Sequence, residues 1–531
     1  MTITSTAADL NLGHTEPVLA KHSLPWLLFV VAGVVAAVLL MPLAFLLIES
    51  SGAGTVNVWH LLWRSLTRTL LWNTIQLTVV VTALCALIGT LAAWCVERTD
   101  LPFRRLLAVL VVVPFAIPDF VVSWGWASLS TDVSGFHGAV LVMTLAVYPL
   151  VYLPVAASLR GADPGLEEAA RSLGLGRLET FWRVTLGQAR GAILGGCLLV
   201  ALVMMAEYGA FEILGYQTFT TEIFTEWQTV SPATACALSL MLVVLSAVVL
   251  GGEVSARGKG RVVRTGPLAQ RMIRRHGLGR AKVPVVLGFL VLIGLALGVP
   301  VGSSVYWMFE GGAHYVAGGP LLLAALHTAL YSGIAAAVAT VASLPVALLI
   351  VRHASVGSRV LERSTYLPLA MPGVVIGFTL IYFAERYAGV FSSGSGVLLV
   401  LAYVIMFFPL ALVGVRASVA YAPVSLEEAA RSLGQGRLAV FRRVTLPLVG
   451  PGLAAAFCIV FLAAVTELTA TLLLVPAGVQ TLATEFWVYQ GNLAYGQAAP
   501  FALVMILLAA APSYVLSRYF DRLPTRATRP A

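Results

Sequence analysis

Long apolar runs recur along the chain, separated by short polar intervals rich in arginine. A helix needs about 20 apolar residues to cross the hydrocarbon core of a bilayer. Runs near 25–48, 70–96, 106–130, 137–159, 190–212 and 233–252 predict six spans. Six more are predicted near 283–307, 325–351, 364–384, 396–415, 449–474 and 498–517. The interval between the two sets, 253–282, is the one long polar stretch, dense in Arg and Lys from Arg257 to Lys282. It reads as a solvated connector held at the membrane surface by anionic lipid. The pattern therefore predicts an all-α membrane protein: a first domain over 1–252, a basic linker over 253–282 and a second domain over 283–531. The first run, Pro25 to Ile48, is too long for the apolar core of a signal peptide and is read as a span.

Composition agrees with a chain whose solvent is mostly lipid. Hydrophobic residues make up 59% and charged residues 11%, against about 25% charged in soluble domains. The net charge of +9 does not form one patch, as nucleic-acid binding requires. It is spread in clusters between apolar runs, the positive-inside pattern. Of 33 Lys and Arg, only Arg64, Arg68 and Arg386 fall on the far face, leaving 33 − 3 = 30 on the near face. The near face, with both termini, is therefore predicted to be cytoplasmic. Glu222, Glu226, Glu310 and Glu485 fall on the far face. Cys85, Cys95, Cys197, Cys236 and Cys458 sit within apolar runs and suggest neither disulfides nor zinc. The scattered histidines suggest no metal site.

The two sets of spans are copies. Leu166–Leu186 reads LEEAARSLGLGRLETFWRVTL and Leu426–Leu446 reads LEEAARSLGQGRLAVFRRVTL, differing at four of 21 positions. Pro149-Leu150 and Pro409-Leu410 share the same offset of 260. Pro114 and Pro118 match Pro368 and Pro372 at an offset of 254, as Thr74 matches Thr328. A repeat in one membrane orientation calls for an even number of spans per unit and an axis along the membrane normal. The proline pairs are read as matched kinks.

The repeated loops, near 163–190 and 423–450, are more alike than the spans around them, so both are expected to meet the same kind of partner. Each is designed as a short stiff helix. Asp163-Pro164 offers an N-cap and a first-turn proline. Ser425 and Glu428 have the spacing of a capping box. Glu-Glu-Ala-Ala-Arg favours helix, and Gly174 and Gly434 suit a left-handed stop. A second amphipathic segment follows, with Leu178, Phe181 and Val184 matched by Leu438, Phe441 and Val444. The result is a rigid knob, fit to transmit a partner's motion.

The spacing Glu-Ala-Ala-x3-Gly-x9-hydrophobic-x-Leu-Pro resembles the EAA loop of permease subunits in bacterial ABC importers. Glu168, Ala169, Ala170 and Gly174 carry it in the first half, beside Glu167. Glu428, Ala429, Ala430, Gly434, Val444, Leu446 and Pro447 carry it in the second, beside Glu427. Gly187 replaces the proline in the first copy. The resemblance implies two tandem six-helix type I permease domains in the bacterial inner membrane. It also implies two copies of an ATPase subunit docked on the loops, and a periplasmic or lipid-anchored solute-binding protein. ATP and Mg would be used by the ATPase subunits, with no cofactor bound by this chain. The chain is then no enzyme. Its lysines, Lys21, Lys259 and Lys282, lie outside any P-loop pattern.

Charged residues within spans are default functional candidates. Glu207 and Glu467 match at the offset of 260, in AEYGAFEILGYQTFTTEIF and TELTATLLLVPAGVQTLATEF. These segments resemble the iron(III) permease family. They are read either as lining the translocation path or gate, or as carboxyls hydrogen-bonded between helices. Asp119, after Pro118, is a further path candidate and also reads as a packing or helix-break residue. Glu212 lies near the end of the fifth span. Carboxylates suit ferric iron, and also thiamine or a polyamine. They suit sulfate, molybdate or phosphonate poorly. A different class of machine, an ion-coupled secondary carrier, would have no use for the doubled loop.

Overall fold

In lipid, a backbone has no water to bond with, so each apolar run satisfies its own N–H and C=O groups as a helix. A computed structural model describes residues 26–52, 63–229, 232–257, 276–311, 318–387 and 396–522. The predicted linker from 258 to 275, and both termini, lie outside the described residues. Ten described helices are long and apolar enough to cross a membrane. They are Trp26–Ile48, Ser65–Arg98, Gly135–Gly161, Phe181–Ala206, Thr234–Gly252, Gly279–Glu310, Gly318–Arg352, Gly396–Tyr421, Arg437–Val465 and Tyr495–Pro512.

The third and ninth predicted spans are not single kinked helices. Arg104–Ala116 meets Asp119–Ala127 at 91°, and Val356–Ala370 meets Gly373–Arg386 at 102°. In each pair a short 3-10 turn, Val113–Ala116 or Leu367–Ala370, carries the first proline. Pro118 and Pro372 then precede the second helix. Two prolines four residues apart remove two ladder donors, so the helix breaks instead of bending gently. The segments before the breaks hold Arg104 and Arg105, or Arg359 and Arg363, together with exposed Phe103, Leu106, Val356 and Val360. That mixture suits a helix lying along the membrane surface.

The fifth and eleventh predicted spans also stop early. Helices Leu186–Ala206 and Leu446–Val465 end just before Glu207 and Glu467. Short helices follow, Gly209–Ile213 then Phe219–Thr229 in one half, and Thr469–Leu474 then Leu482–Gly491 in the other. Glu207 and Glu467 therefore lie at helix breaks, not inside spans.

Each half lends its first span to the other. Trp26–Gly52 packs along 356–387, where Phe45 lies 6.0 Å from the Tyr382 ring and 6.2 Å from Phe383. Val299–Glu310 packs on Asp119–Ala127, where a Cβ on Gly125 would come within 2.8 Å of Ser303 Oγ. Two large buried cores result among the described residues. One joins Leu77–Leu214 residues with Phe289, Ala296 and Phe486. The other joins Ala32, Leu39 and Leu46 with Met371–Leu474 residues. Small residues let backbones approach within the cores: a Cβ on Gly196 would meet Val151 Cα at 2.7 Å.

Candidate functional site

The knobs are built alike. The helices are Pro164–Ser172 and Val424–Ser432. Asp163 caps the first, accepting from the Gly165 amide at 2.8 Å. The second is not capped by Ser425. It starts at Val424 after Pro423, two residues before the start that a Ser425 cap would set, which puts Ser425 and Glu428 inside the helix, out of reach of the expected capping box. Gly174 and Gly434 end the helices at φ of 87° and 81°. The amphipathic segment that follows is not a separate helix. It enters a π-helical turn, Phe181–Thr185 or Phe441–Thr445, and runs on into the next span. Gly187 and Pro447 both fall in the first turn of that span, so the substitution leaves the exit unchanged.

The paired glutamates face opposite ways. Glu168 and Glu428 are exposed, as are Ala169 and Ala429, whereas Glu167 and Glu427 point inward, with Ala170 beside Glu167. Glu167 accepts from Thr185 Oγ1 at 2.9 Å and lies 3.8 Å from Arg98 at the end of the second span. Glu427 repeats this with Thr445 at 3.1 Å and Arg352 at 3.1 Å. Arg352 also donates to the Ala422 carbonyl at 3.0 Å. The inward glutamate thus ties each knob to the floor of its own half. Sequence reading missed Arg98, Arg352, Thr185 and Thr445. The signal was present, since both pairs recur at the two repeat offsets. At the tips, Leu173 and Leu433 are 82% and 80% exposed, and exposed apolar groups on a polar knob mark a contact surface.

Deep in the bundle, Glu207 and Glu467 do matching work. Glu207 Oε1 accepts from the Ala210 amide at 2.8 Å, and Glu467 Oε1 from the Ala470 amide at 2.9 Å. Each caps the short helix after its break. Thr220 Oγ1 donates to the Glu207 carbonyl at 2.5 Å, and Thr471 Oγ1 to that of Glu467 at 2.7 Å. Matched Thr74 and Thr328 accept from the Phe219 and Leu482 amides at 3.3 and 2.9 Å. The carboxyls therefore bond within their own halves, not across to each other. Each retains a second oxygen and is only half-buried.

The halves meet at these breaks. A Cβ on Gly209 would fall 2.5 Å from Leu468 Cδ2 and 3.0 Å from Phe120 Cβ. This brings the backbones next to Glu207, Glu467 and Asp119 to one place. Tyr208 lies 5.8 Å from Trp487, and Phe120 lies 5.4 Å from Phe486. Asp119, half-buried, opens the helix after its break. The matching position at offset 254 is Gly373, where a Cβ would sit 2.9 Å from Glu467 Oε1. The first half thus has a second carboxyl where the second half has a glycine packed closely against Glu467 and Met406. Glu212 is exposed on its short helix. Among the described residues, no three His, Cys, Asp or Glu side chains are grouped to hold a metal ion.

Two matched membrane halves, with paired knobs and facing helix breaks, define a transport subunit of the membrane. The chain belongs to the family of binding-protein-dependent transport system inner membrane components, whose pattern matches residues 86–257 and again 339–526. It is 35% identical to the Fe(3+)-transport system permease protein FbpB 2 of Haemophilus influenzae, over 91% of this chain and 96% of that one. The ferric transport system permease protein FbpB of Actinobacillus pleuropneumoniae is 25% identical, over 71% of this chain and 57% of the relative. A sulfate transport system permease protein, CysT of Salmonella typhimurium, is 29% identical over 36% of this chain.

Proposed function

We propose that this chain is the complete translocation pathway of an ATP-driven importer that carries ferric iron across the inner membrane. Its two knobs engage two ATPase subunits on the near face, which is cytoplasmic. A solute-binding protein delivers substrate to the far face. ATP hydrolysis belongs to the partner subunits, and this chain converts their closure into alternating access. One observation supports this above all: two near-identical helical knobs, each with an outward glutamate and an exposed leucine tip, and each anchored inward by a buried charge pair. A partner that closes on both knobs moves both halves together.

The cargo assignment rests on relatives named for Fe(3+) or ferric transport and on the chemistry of the breaks. Asp119, Glu207 and Glu467 offer hard oxygen donors to a hard trivalent cation. They do not form a resident metal cage, which suits a group that a cation passes and leaves. An anion such as sulfate gains nothing from three carboxyls.

The test is reconstitution in nanodiscs with the ATPase and binding protein. Glu168→Lys with Glu428→Lys is expected to abolish ATPase co-purification while the permease still folds. ATP-dependent uptake of ferric iron, and not of spermidine or sulfate, is expected for the unaltered complex. Uptake driven by an ion gradient with no ATPase present overturns the proposal.

A further inference from the structure

The two knobs share the sequence Leu-Glu-Glu-Ala-Ala-Arg-Ser-Leu-Gly, yet their arginines have different partners. Arg431 turns back to its own helix, with Nη2 3.5 Å from Glu427 Oε2, and its side chain is 48% exposed. Arg171 instead meets Nε2 of His276, at the far end of the linker. His276 is more than 100 residues away in sequence, so this contact has no origin in the repeat.

The linker's end is firmly seated. The His276 amide donates to the Arg98 carbonyl at 2.8 Å, and its own carbonyl accepts from the Asp100 amide at 3.1 Å. This is a single parallel bridge beside Thr99. The Leu278 amide donates to Asp100 Oδ1 at 2.8 Å, and Lys282 Nζ lies 2.7 Å from Asp100 Oδ2. The imidazole leans on Trp94, with ring centres 6.3 Å apart. Its Nδ1 lies 3.1 Å from the Arg98 carbonyl. A carbonyl only accepts, so Nδ1 carries the proton and Nε2 presents a lone pair. A lone pair is what a guanidinium seeks.

The second half cannot copy this arrangement. Asp100, which holds the linker's end through two contacts, corresponds to Ala354 at the offset of 254. The carboxylate anchor is therefore present in one half only.

We infer that the linker's end is a fixed part of the first ATPase docking surface, so that the fused chain offers its two ATPases unequal sockets. This rests on the coupling role proposed for the knobs. At the first socket Arg171 is committed to His276, and an imidazole lies beside the knob. At the second socket Arg431 is loosely held and free to turn to an acidic group on the ATPase. His276 is a positioning residue, acting through Arg171.

The test is a titration of the ATPase subunit onto full-length permease in nanodiscs, with each step of binding resolved. The unaltered chain is expected to show two affinities that differ by roughly threefold or more, the scale of one half-exposed charged contact. His276→Ala keeps the backbone bridge and both Asp100 contacts but frees Arg171, and the two affinities should converge. His276→Gln restores an acceptor and should restore the split. Arg431→Ala should weaken only the second affinity. Two equal affinities in the unaltered chain, or a split that persists in His276→Ala, overturn the inference while leaving the coupling role intact. Absence of any ATPase binding to the unaltered chain defeats the coupling role itself.

Discussion

Replacing Glu167 by Gln should detach the first knob from the floor of its half. Arg98 is 1% exposed and Glu167 7%, with 3.8 Å between Nη2 and Oε1. Arg98 Nε and Nη2 have no hydrogen-bond partner, so the carboxylate is the main compensation for a buried guanidinium. Removing one partner of a buried pair costs about 3–5 kcal/mol. The long separation sets this pair near the lower figure, about 3 kcal/mol. At about 1.4 kcal/mol per factor of ten, local opening becomes roughly a hundredfold more frequent. The effect should stay local, because the pair joins only the helix Pro164–Ser172 to the end of Ser65–Arg98. Hydrogen exchange of the amides from Ala169 to Gly174, followed in nanodiscs, reads it directly. Glu168→Gln is the control. It alters an exposed carboxylate on the same helix, and such changes stay within about 0.5 kcal/mol. The reasoning is refuted if Glu167→Gln lowers protection by less than about threefold, or if Glu168→Gln lowers it equally. Glu427→Gln should be milder, because Arg352 keeps its bond to the Ala422 carbonyl.

Other consequences are as direct. Glu207→Gln and Glu467→Gln each keep an oxygen to accept from the Ala210 or Ala470 amide, so folding should persist while ferric uptake falls severalfold; unchanged uptake would remove both residues from the path. Gly196→Ala forces the Val151 backbone away, and at about 1–3 kcal/mol for overpacking it should lower the thermal aggregation temperature measured in detergent. The bond from Lys282, then that from the Leu278 amide, holds the Asp100 carboxyl below its ordinary value. A depressed carboxyl stabilises above its unfolded pKa, about 3.9, and loses that contribution as pH falls through its folded value. The share of the seating due to Asp100, taken as the difference in mobility of a spin label near Leu278 between the unaltered chain and Asp100→Asn, should therefore persist above about pH 4 and vanish only below it.

The sequence showed most plainly whatever it says twice. The repeated loops, the offsets of 254 and 260, and the stop glycines were legible because duplication displays them side by side. Asp163 and Gly174 act locally, through their own backbone neighbours, and local chemistry is readable from local sequence. Hydropathy found all twelve apolar segments but not the breaks before Asp119 and Gly373, since it averages over a window and ignores lost hydrogen bonds. It also placed Glu207 and Glu467 inside helices when they terminate them. Which glutamate of each pair turns inward depended on Arg98 and Arg352, far away in sequence. The seating of His276 depended on Asp100, which has no counterpart in the other half and so gave no repeat to notice.

The exchange of first spans governs how the molecule must be made. Trp26–Gly52 leaves the ribosome long before the segments beyond residue 318 against which it packs. Until then it has Pro232–Arg257 of its own half to pack on but lacks most of its tertiary partners. The first half cannot complete its core during its own synthesis, because that core waits for Phe289, Ala296 and Phe486, so assembly is gated by the last spans. Cutting the chain within the linker would not release two finished domains. It would yield two fragments, each missing a staff of its own fence and each holding one that belongs to the other. The linker's service is then also kinetic: it keeps the two halves at high effective concentration while their first helices find the opposite core.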